Sequence, residues 1–499
     1  MLSQLEKKSH KIIDWFSRHF WTVYLIVAGV SFLYMFRYAG MEGFWQDELI
    51  TLEGCMKNRS LFETLFVTHS NYYPSVASKI THAWYGVSPY GEQWLLLPTV
   101  LFTALGNFFT ALAAEKIGGR KAGFAAAVFV SFCYPVIYNV GYELRAYGPL
   151  YCSAAALLYF FMVKNERLVQ SKTARIPEVL FGFWVWFGAG NHVFGVFYAG
   201  LLFCVDGILW LKKKIKLRFC TPYFVAAFFY LPWIYNMFCY DVFSISAPFQ
   251  AAPSLSRVAT LLRLLSGEMD LACYIFVLGA FYVVFNAFKN RKQHTAAIYA
   301  PLVPLWLIVG LIGFIYFYGT FINTKATMWS NRYFAVLYPC TAILISIAAT
   351  KLLGLAKNSA LRHSLSFILA IVFAFTSHAA LIEDISVEHE TFRDAADWLY
   401  TLGDIAHKDD TAIIFCAWWA NYTPWKEYYL EEQGRRAPLN VLFIDHANDE
   451  SLSKYNTVYL YYEIRNGNPS VNQLLSEQFE LVDTNEEVKV KTYVRKDAQ

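Results

Sequence analysis

Charge is scarce in this chain: Asp, Glu, Lys and Arg make up 16% of its 499 residues, against 57% hydrophobic residues. A soluble domain of ordinary usage carries about 25% charged residues, so an ordinary water-facing globule is excluded and lipid is the expected solvent for most of the chain. The net charge is only +4, and Lys and Arg fall in short clusters between apolar runs instead of on one basic face. That argues against nucleic acid as a partner. The nine cysteines include no CxxC pair and no Cys/His spacing of a zinc site, and Cys133, Cys152, Cys204, Cys273 and Cys340 stand singly inside apolar runs. Neither a disulfide framework nor a structural metal is indicated. No small-residue cleavage site follows the first apolar run, which is therefore read as a retained helix and not as a signal peptide.

What is present is length of apolar sequence. A bilayer core needs about 20 mostly apolar residues per helix, and eleven segments qualify, near 19–38, 92–114, 120–140, 146–163, 176–191, 193–211, 218–239, 271–289, 297–320, 333–355 and 362–382. The expected fold class is a polytopic α-helical membrane protein with about eleven transmembrane helices. Cytoplasmic loops retain Lys and Arg, and the clusters Lys7/Lys8/Lys11, Lys116/Arg120/Lys121, Lys164/Arg167/Lys172/Arg175, Lys212 to Arg218, Lys289/Arg291/Lys292 and Lys351/Lys357/Arg362 fall in alternate connections. The other connections, near 39–91, 141–145, 240–270 and 321–332, share a side with the C-terminal tail, giving an N-in, C-out multi-pass topology in an inner or plasma membrane.

Residues 384–499 change character. Strand-like runs at Thr411–Trp418, Asn440–Ile444, Thr457–Tyr462 and Val488–Val494 alternate with polar helical stretches, the pattern of a small α/β domain. The expected organisation is a membrane domain over 1–383 and an extracytoplasmic domain over 384–499. Within the first, the outer loop 39–91 holds a half-polar stretch, Leu61–Tyr85, too polar to span and suited to the interface.

Three constellations fall on the outer side. The first is Gly43-Phe44-Trp45-Gln46-Asp47-Glu48-Leu49, just beyond the first helix. A carboxylate partly desolvated by Trp45 and Phe44 is a better proton acceptor, making Asp47 a candidate base; a plain reading has the two acids capping a helix. The second is Tyr142-Glu143-Leu144-Arg145-Ala146-Tyr147, between the third and fourth helices. An arginine at that depth needs a partner, either a lipid phosphate bound bidentately or Glu143 in a local ion pair. The third is Asn331-Arg332-Tyr333, near Lys325 and Trp329, where Arg332 supplies a second phosphate contact or an interfacial anchor. His192, in the tight turn after Asn191, suits a sugar hydroxyl or a backbone carbonyl, and His69, Asn71 and Tyr73-Pro74 suit a sugar pocket.

With these residues in hand, the chain resembles the polyprenyl-phosphate-sugar-dependent glycosyltransferases of the type C (GT-C) superfold, the group that includes protein O-mannosyltransferases and lipid A aminoarabinose transferases. The features that carry the resemblance are Trp45-Gln46-Asp47-Glu48, the run from His69 through Asn71 to Pro74, Gly91-Glu92 through Leu97-Pro98, Glu143-Leu-Arg145-Ala-Tyr147, His192, Leu231-Pro232-Trp233 and Arg332-Tyr333 followed by Pro339. The run Thr391 to Ala396 and the stretch Asp409 to Ile413 are similar to the outer domain of the group. The chain departs from it at Tyr73-Pro74-Ser75 and at Leu96-Leu97-Pro98.

The resemblance implies Asp47 as catalytic base, Glu48 as its neighbour in acceptor or metal binding, and Arg145 and Arg332 facing the carrier phosphate. It implies a polyprenyl-phosphate-linked sugar as donor, a lipid, glycan or protein as acceptor, membrane lipids around the helices, and inverting displacement. A divalent cation on Asp47 and Glu48 is left open, since two ligands do not define a site. The rival reading is a lipid-linked sugar or polysaccharide transporter; a mere anchor for 384–499 would not need eleven helices.

Overall fold

The computed structural model describes residues 15, 18–56, 76–170, 175–239, 252–290, 300–324, 327–386, 391–402, 410–417, 419–432, 435–462 and 469–497. Helices occupy all eleven apolar segments: Phe20–Tyr38, Leu97–Gly118, Arg120–Phe132 with its continuation to Gly141, Tyr147–Val169, Arg175–Asn191, Val193–Leu211, Thr221–Cys239, Asp270–Lys289, Leu302–Phe317, Tyr338–Gly354 and Ser359–Ser386. Among the described residues seven are long and apolar enough to cross a membrane, eight if the bent pair is one span. The chain is thus a multi-pass membrane protein, but the expected eleven spans are not all of one kind. Tyr147–Val169 carries Lys164, Glu166 and Arg167 in its last turns, Arg175–Asn191 has 17 residues, and the apolar stretch of the seventh is the shorter Leu217–Leu231.

The bent pair has an identifiable cause. Pro135 has no N–H to give to the carbonyl four residues back, and its ring crowds that carbonyl; the helix breaks at Cys133 and resumes at 63°. The carbonyl concerned, Ser131 O, accepts instead from Ser31 Oγ at 3.2 Å. Ser31 accepts from Asn107 Nδ2 at 3.1 Å, and Asn107 Oδ1 accepts from Tyr151 Oη at 2.7 Å. Four helices are joined by this buried polar chain, in which each member satisfies the next.

Lys164, grouped above with a cytoplasmic loop, is a helix residue with no exposure. Its ammonium pairs with Asp206, also fully buried. Asp206 accepts further from Asn165 Nδ2 at 2.9 Å and Tyr223 Oη at 3.1 Å.

The chain divides into two compact units: Met1–Tyr38, Glu63–Ala77 and Leu97–Glu383 form one, and Ala39–Phe62, Ser78–Leu96 and Asp384–Gln499 the other. Most of the 39–91 stretch, expected to belong to the membrane domain, therefore groups with the C-terminal residues.

In the second unit a five-stranded sheet runs β1 (Thr411–Cys416), β2 (Val441–Phe443), β3 (Thr457–Tyr462), β4 (Phe479–Asn485) and β5 (Val490–Arg495), in the spatial order β2-β1-β3-β5-β4. The β1–β2 and β1–β3 pairs are parallel, while β3–β5 and β4–β5 are antiparallel. Interior strand β1 is buried at every position, as a strand covered on both faces must be. Alternation sends Ala412, Ile414 and Cys416 to one core with Val458, Leu460 and Leu475. It sends Phe415 to the other face, where Trp425 lies at 4.8 Å and stacks on Tyr461 at 5.1 Å. Edge strand β4 was not expected from the sequence. Only Phe479 at its start is buried, and Leu481 and Val482 are half exposed, so it has no alternating pattern to read.

Candidate functional site

The candidate residues fall into two groups, one in each unit. In the membrane unit, three separate stretches bring Glu143, Tyr147, His192, Arg332 and Tyr333 together. A π-helical turn, Ile137–Gly141, ends the bent span and releases the 142–147 segment. Asn331–Leu337 is a 3₁₀ turn leading into the Tyr338–Gly354 helix. His192 caps the Val193–Leu211 helix.

Arg332 Nε lies 3.2 Å from Glu143 Oε1, so the acid next to Arg145 in sequence pairs with the arginine of the distant motif. Their side chains are 11% (Glu143) and 36% (Arg332) exposed. The pair is therefore only partly withdrawn from water, and such a pair is weaker than a fully buried one.

The rings of His192 and Tyr333 are 4.8 Å apart, with Tyr147 at 6.2 Å from His192 and 6.3 Å from Tyr333. Burial, with Arg145 close by, pushes the His192 imidazole down to about 3. The ring is neutral at physiological pH. Its Nδ1 accepts from Phe194 N–H at 3.3 Å, which places the proton on Nε2 and makes that nitrogen the donor. Asn191 beside it ties in the start of the Val76–Tyr85 helix: its Oδ1 accepts from Ala77 N at 2.7 Å and its Nδ2 donates to Phe187 O at 2.8 Å. His69, Asn71 and Tyr73 lie outside the described residues.

Asp47 and Glu48 belong to the second unit, in the first turn of the Gln46–Met56 helix. Carboxylates there are favoured by the helix dipole and the free N–H groups. Glu48 is 3% exposed, and its Oε2 accepts from Trp45 N at 3.1 Å. This is the capping role of the plain reading, and it occupies one of the two acids; Asp47 remains partly exposed. The helix packs against Trp419–Pro424, which directly follows β1.

Some residues near these were passed over in the sequence. Burial pushes the Lys79 ammonium, on the Val76–Tyr85 helix, down to about 8; it is one of two lysines in the 39–91 stretch, with Lys57, and belongs to no motif. Glu92 and Arg393 stand in two of the runs that carry the resemblance, and the structure joins them with Tyr429, which none of those runs includes. No group of three or more His, Cys, Asp or Glu suited to a metal ion occurs among the described residues. Asp47 and Glu48 alone do not make a metal site.

No protein-family model matches the chain, and no curated protein matches it by sequence. Its fold, membrane helices with a small α/β unit, is nevertheless shared with solved structures, in agreement with the fold that the GT-C resemblance implies. The particular likeness is to ArnT from Cupriavidus metallidurans: with the form bound to undecaprenyl phosphate the TM-score is 0.60 at 13% identity, covering 95% of this chain and 97% of that one. With the apo state the TM-score is again 0.60, at 12% identity over 96% and 98%. The archaeal oligosaccharyltransferase AglB from Archaeoglobus fulgidus, in complex with an inhibitory peptide and a dolichol-phosphate, aligns at 11% identity over 90% of this chain and 70% of that one. Its TM-score of 0.47 adds nothing to the fold assignment.

Proposed function

We propose that this protein is an integral-membrane glycosyltransferase that moves a sugar from a polyprenyl-phosphate carrier to an acceptor on the extracytoplasmic face. The observation that carries this reading is the likeness to ArnT over nearly the whole of both chains, together with the undecaprenyl phosphate bound in that structure. The order of the sequence motifs agrees with it, and the distribution of Lys and Arg supports an N-in, C-out orientation.

Asp47 takes the proton of the acceptor group as the acceptor oxygen forms its bond to the anomeric carbon. The bond from that carbon to the carrier phosphate breaks on the opposite face, the phosphate leaves with the electron pair, and configuration inverts. Arg145 and Arg332 hold the phosphate. Glu143 keeps the Arg332 guanidinium oriented before the carrier arrives, and the aromatic cluster of Tyr147, His192 and Tyr333 offers ring faces and the Nε2–H donor to a polyhydroxylated sugar. The acceptor is a lipid, a glycan or a protein.

The test is transfer of label from a mixed pool of polyprenyl-phosphate sugars in membranes carrying the protein. Transfer by the wild type is the expected result. Carrier binding and translocation without transfer to any acceptor would assign the protein to transport instead. A donor aimed at the developing charge of a transition state is worth about 100- to 1,000-fold in turnover. Arg145→Ala is therefore expected to lose that much turnover while remaining folded by size-exclusion profile and thermal midpoint; a folded variant with wild-type turnover would remove Arg145 from the site.

A further inference from the structure

The segment Ala39–Trp45, between the first membrane helix and the helix that carries Asp47, has no regular structure of its own. Gly40 and Gly43 both have left-handed backbone, with φ of +75° and +87°. A side chain at Gly40 would also strike Gln93 N at 2.7 Å and Glu92 Cβ at 2.9 Å. A chain path of this kind is costly to hold by its own preferences, so something else must hold it.

The holding contacts come from far along the sequence. Arg393, in the helix Phe392–Thr401, donates from Nη1 to Gly40 O at 2.9 Å and from Nη2 to Met41 O at 2.8 Å. The same Nη1 lies 2.9 Å from Glu92 Oε2. Tyr429 donates its hydroxyl hydrogen to Glu92 Oε1, and the Tyr429 oxygen accepts from Phe44 N at 2.9 Å. Burial pushes the Glu92 carboxyl up, and Arg393 and Tyr429 pull it back. The segment is thus gripped at residues 40, 41 and 44, the last only three residues before Asp47. Every group lies in the same compact unit.

We propose that Arg393, Glu92 and Tyr429 are positioning residues that lock the Gly40–Trp45 segment and thereby fix where the Asp47 carboxylate stands. This inference rests on the reading of Asp47 as the base of a sugar transfer. It also assigns the C-terminal α/β domain a part in the reaction: Arg393 and Tyr429 hold the catalytic segment without touching substrate. Arg suits the role because its planar fork reaches two carbonyls and a carboxylate at once, which a lysine ammonium on its flexible stem does not.

The test uses the full chain in detergent with three readouts: turnover from a labelled undecaprenyl-phosphate-sugar pool, binding of undecaprenyl phosphate alone, and amide exchange of residues 39–48. Arg393→Ala is expected to speed exchange in that segment and to lower turnover about 100-fold, the cost of misplacing a reacting group by about 1 Å. Undecaprenyl phosphate binding stays at the wild-type level, and Arg393→Lys recovers part of the loss. In the Asp47→Asn background Arg393→Ala has no further effect, because both changes remove one and the same contribution.

Wild-type turnover in Arg393→Ala, equal losses of turnover and undecaprenyl phosphate binding, or losses additive with Asp47→Asn would each overturn the proposal. If Arg393→Ala does not fold, Tyr429→Phe, which deletes a single hydroxyl, carries the same comparison. A wild type that transfers no sugar defeats the functional reading by itself. In that case unchanged exchange of 39–48 in the Arg393 or Tyr429 variant defeats the lock separately.

Discussion

Asp47→Asn is expected to reduce sugar transfer by about 100- to 10,000-fold, the usual contribution of a positioned general base. The substitution keeps size and shape, and Asn is acceptable in the first turn of a helix, so folding should be unaffected. Glu48 provides the internal comparison. Its buried carboxylate caps the helix through Trp45 N, and in Glu48→Gln the amide oxygen still accepts that hydrogen bond. Glu48→Gln is therefore expected to retain far more activity than Asp47→Asn. The measurement is initial-rate transfer of label with matched amounts of folded protein. Equal rates for Asp47→Asn and wild type would discard Asp47 as the base, and a larger loss in Glu48→Gln would transfer the role to its neighbour.

The largest expected effect on stability lies elsewhere, at Asp206. Removing one member of a fully buried ion pair leaves the other charged and uncompensated, at a cost of about 3–5 kcal/mol. Asp206→Ala would strand the Lys164 ammonium among the rings of Phe181, 4.7 Å away, and Phe161, 5.3 Å away. It would also deprive Asn165 and Tyr223 of their shared acceptor. The variant should unfold at clearly lower temperature in detergent than the wild type. The double replacement Lys164→Met with Asp206→Leu should recover most of the loss, because no uncompensated charge is then left at this site. An unchanged midpoint for Asp206→Ala would show that Lys164 reaches water or another partner.

Helices at every apolar run and strands β1, β2, β3 and β5 were legible because each is written in local pattern. A run long enough to cross lipid must satisfy its backbone internally and becomes a helix, and a short β-branched or aromatic run between turn residues becomes a strand. Edge strand β4 was not legible, since Phe479–Asn485 presents one buried residue and then solvent. The stretch with His69, Asn71 and Tyr73 lies outside the described residues, while the motifs at Glu143 to Tyr147, His192 and Arg332-Tyr333 do come together in one place.

The sequence by itself determined that this is a helical membrane protein with a small α/β domain, and which short motifs carry its unusual polar residues, because hydropathy and periodicity are properties of neighbours along the chain. Only the tertiary structure decided who pairs with whom. Glu143 pairs with Arg332 of a distant motif, Lys164 leaves the expected loop for Asp206, and Arg393 reaches Gly40 and Glu92 across 353 and 301 residues. The physical reason is common to all three. A buried or half-buried charge takes the partner that packing brings within about 3 Å, and packing is settled by which helix and strand faces meet, a matter on which spacing along the chain is silent.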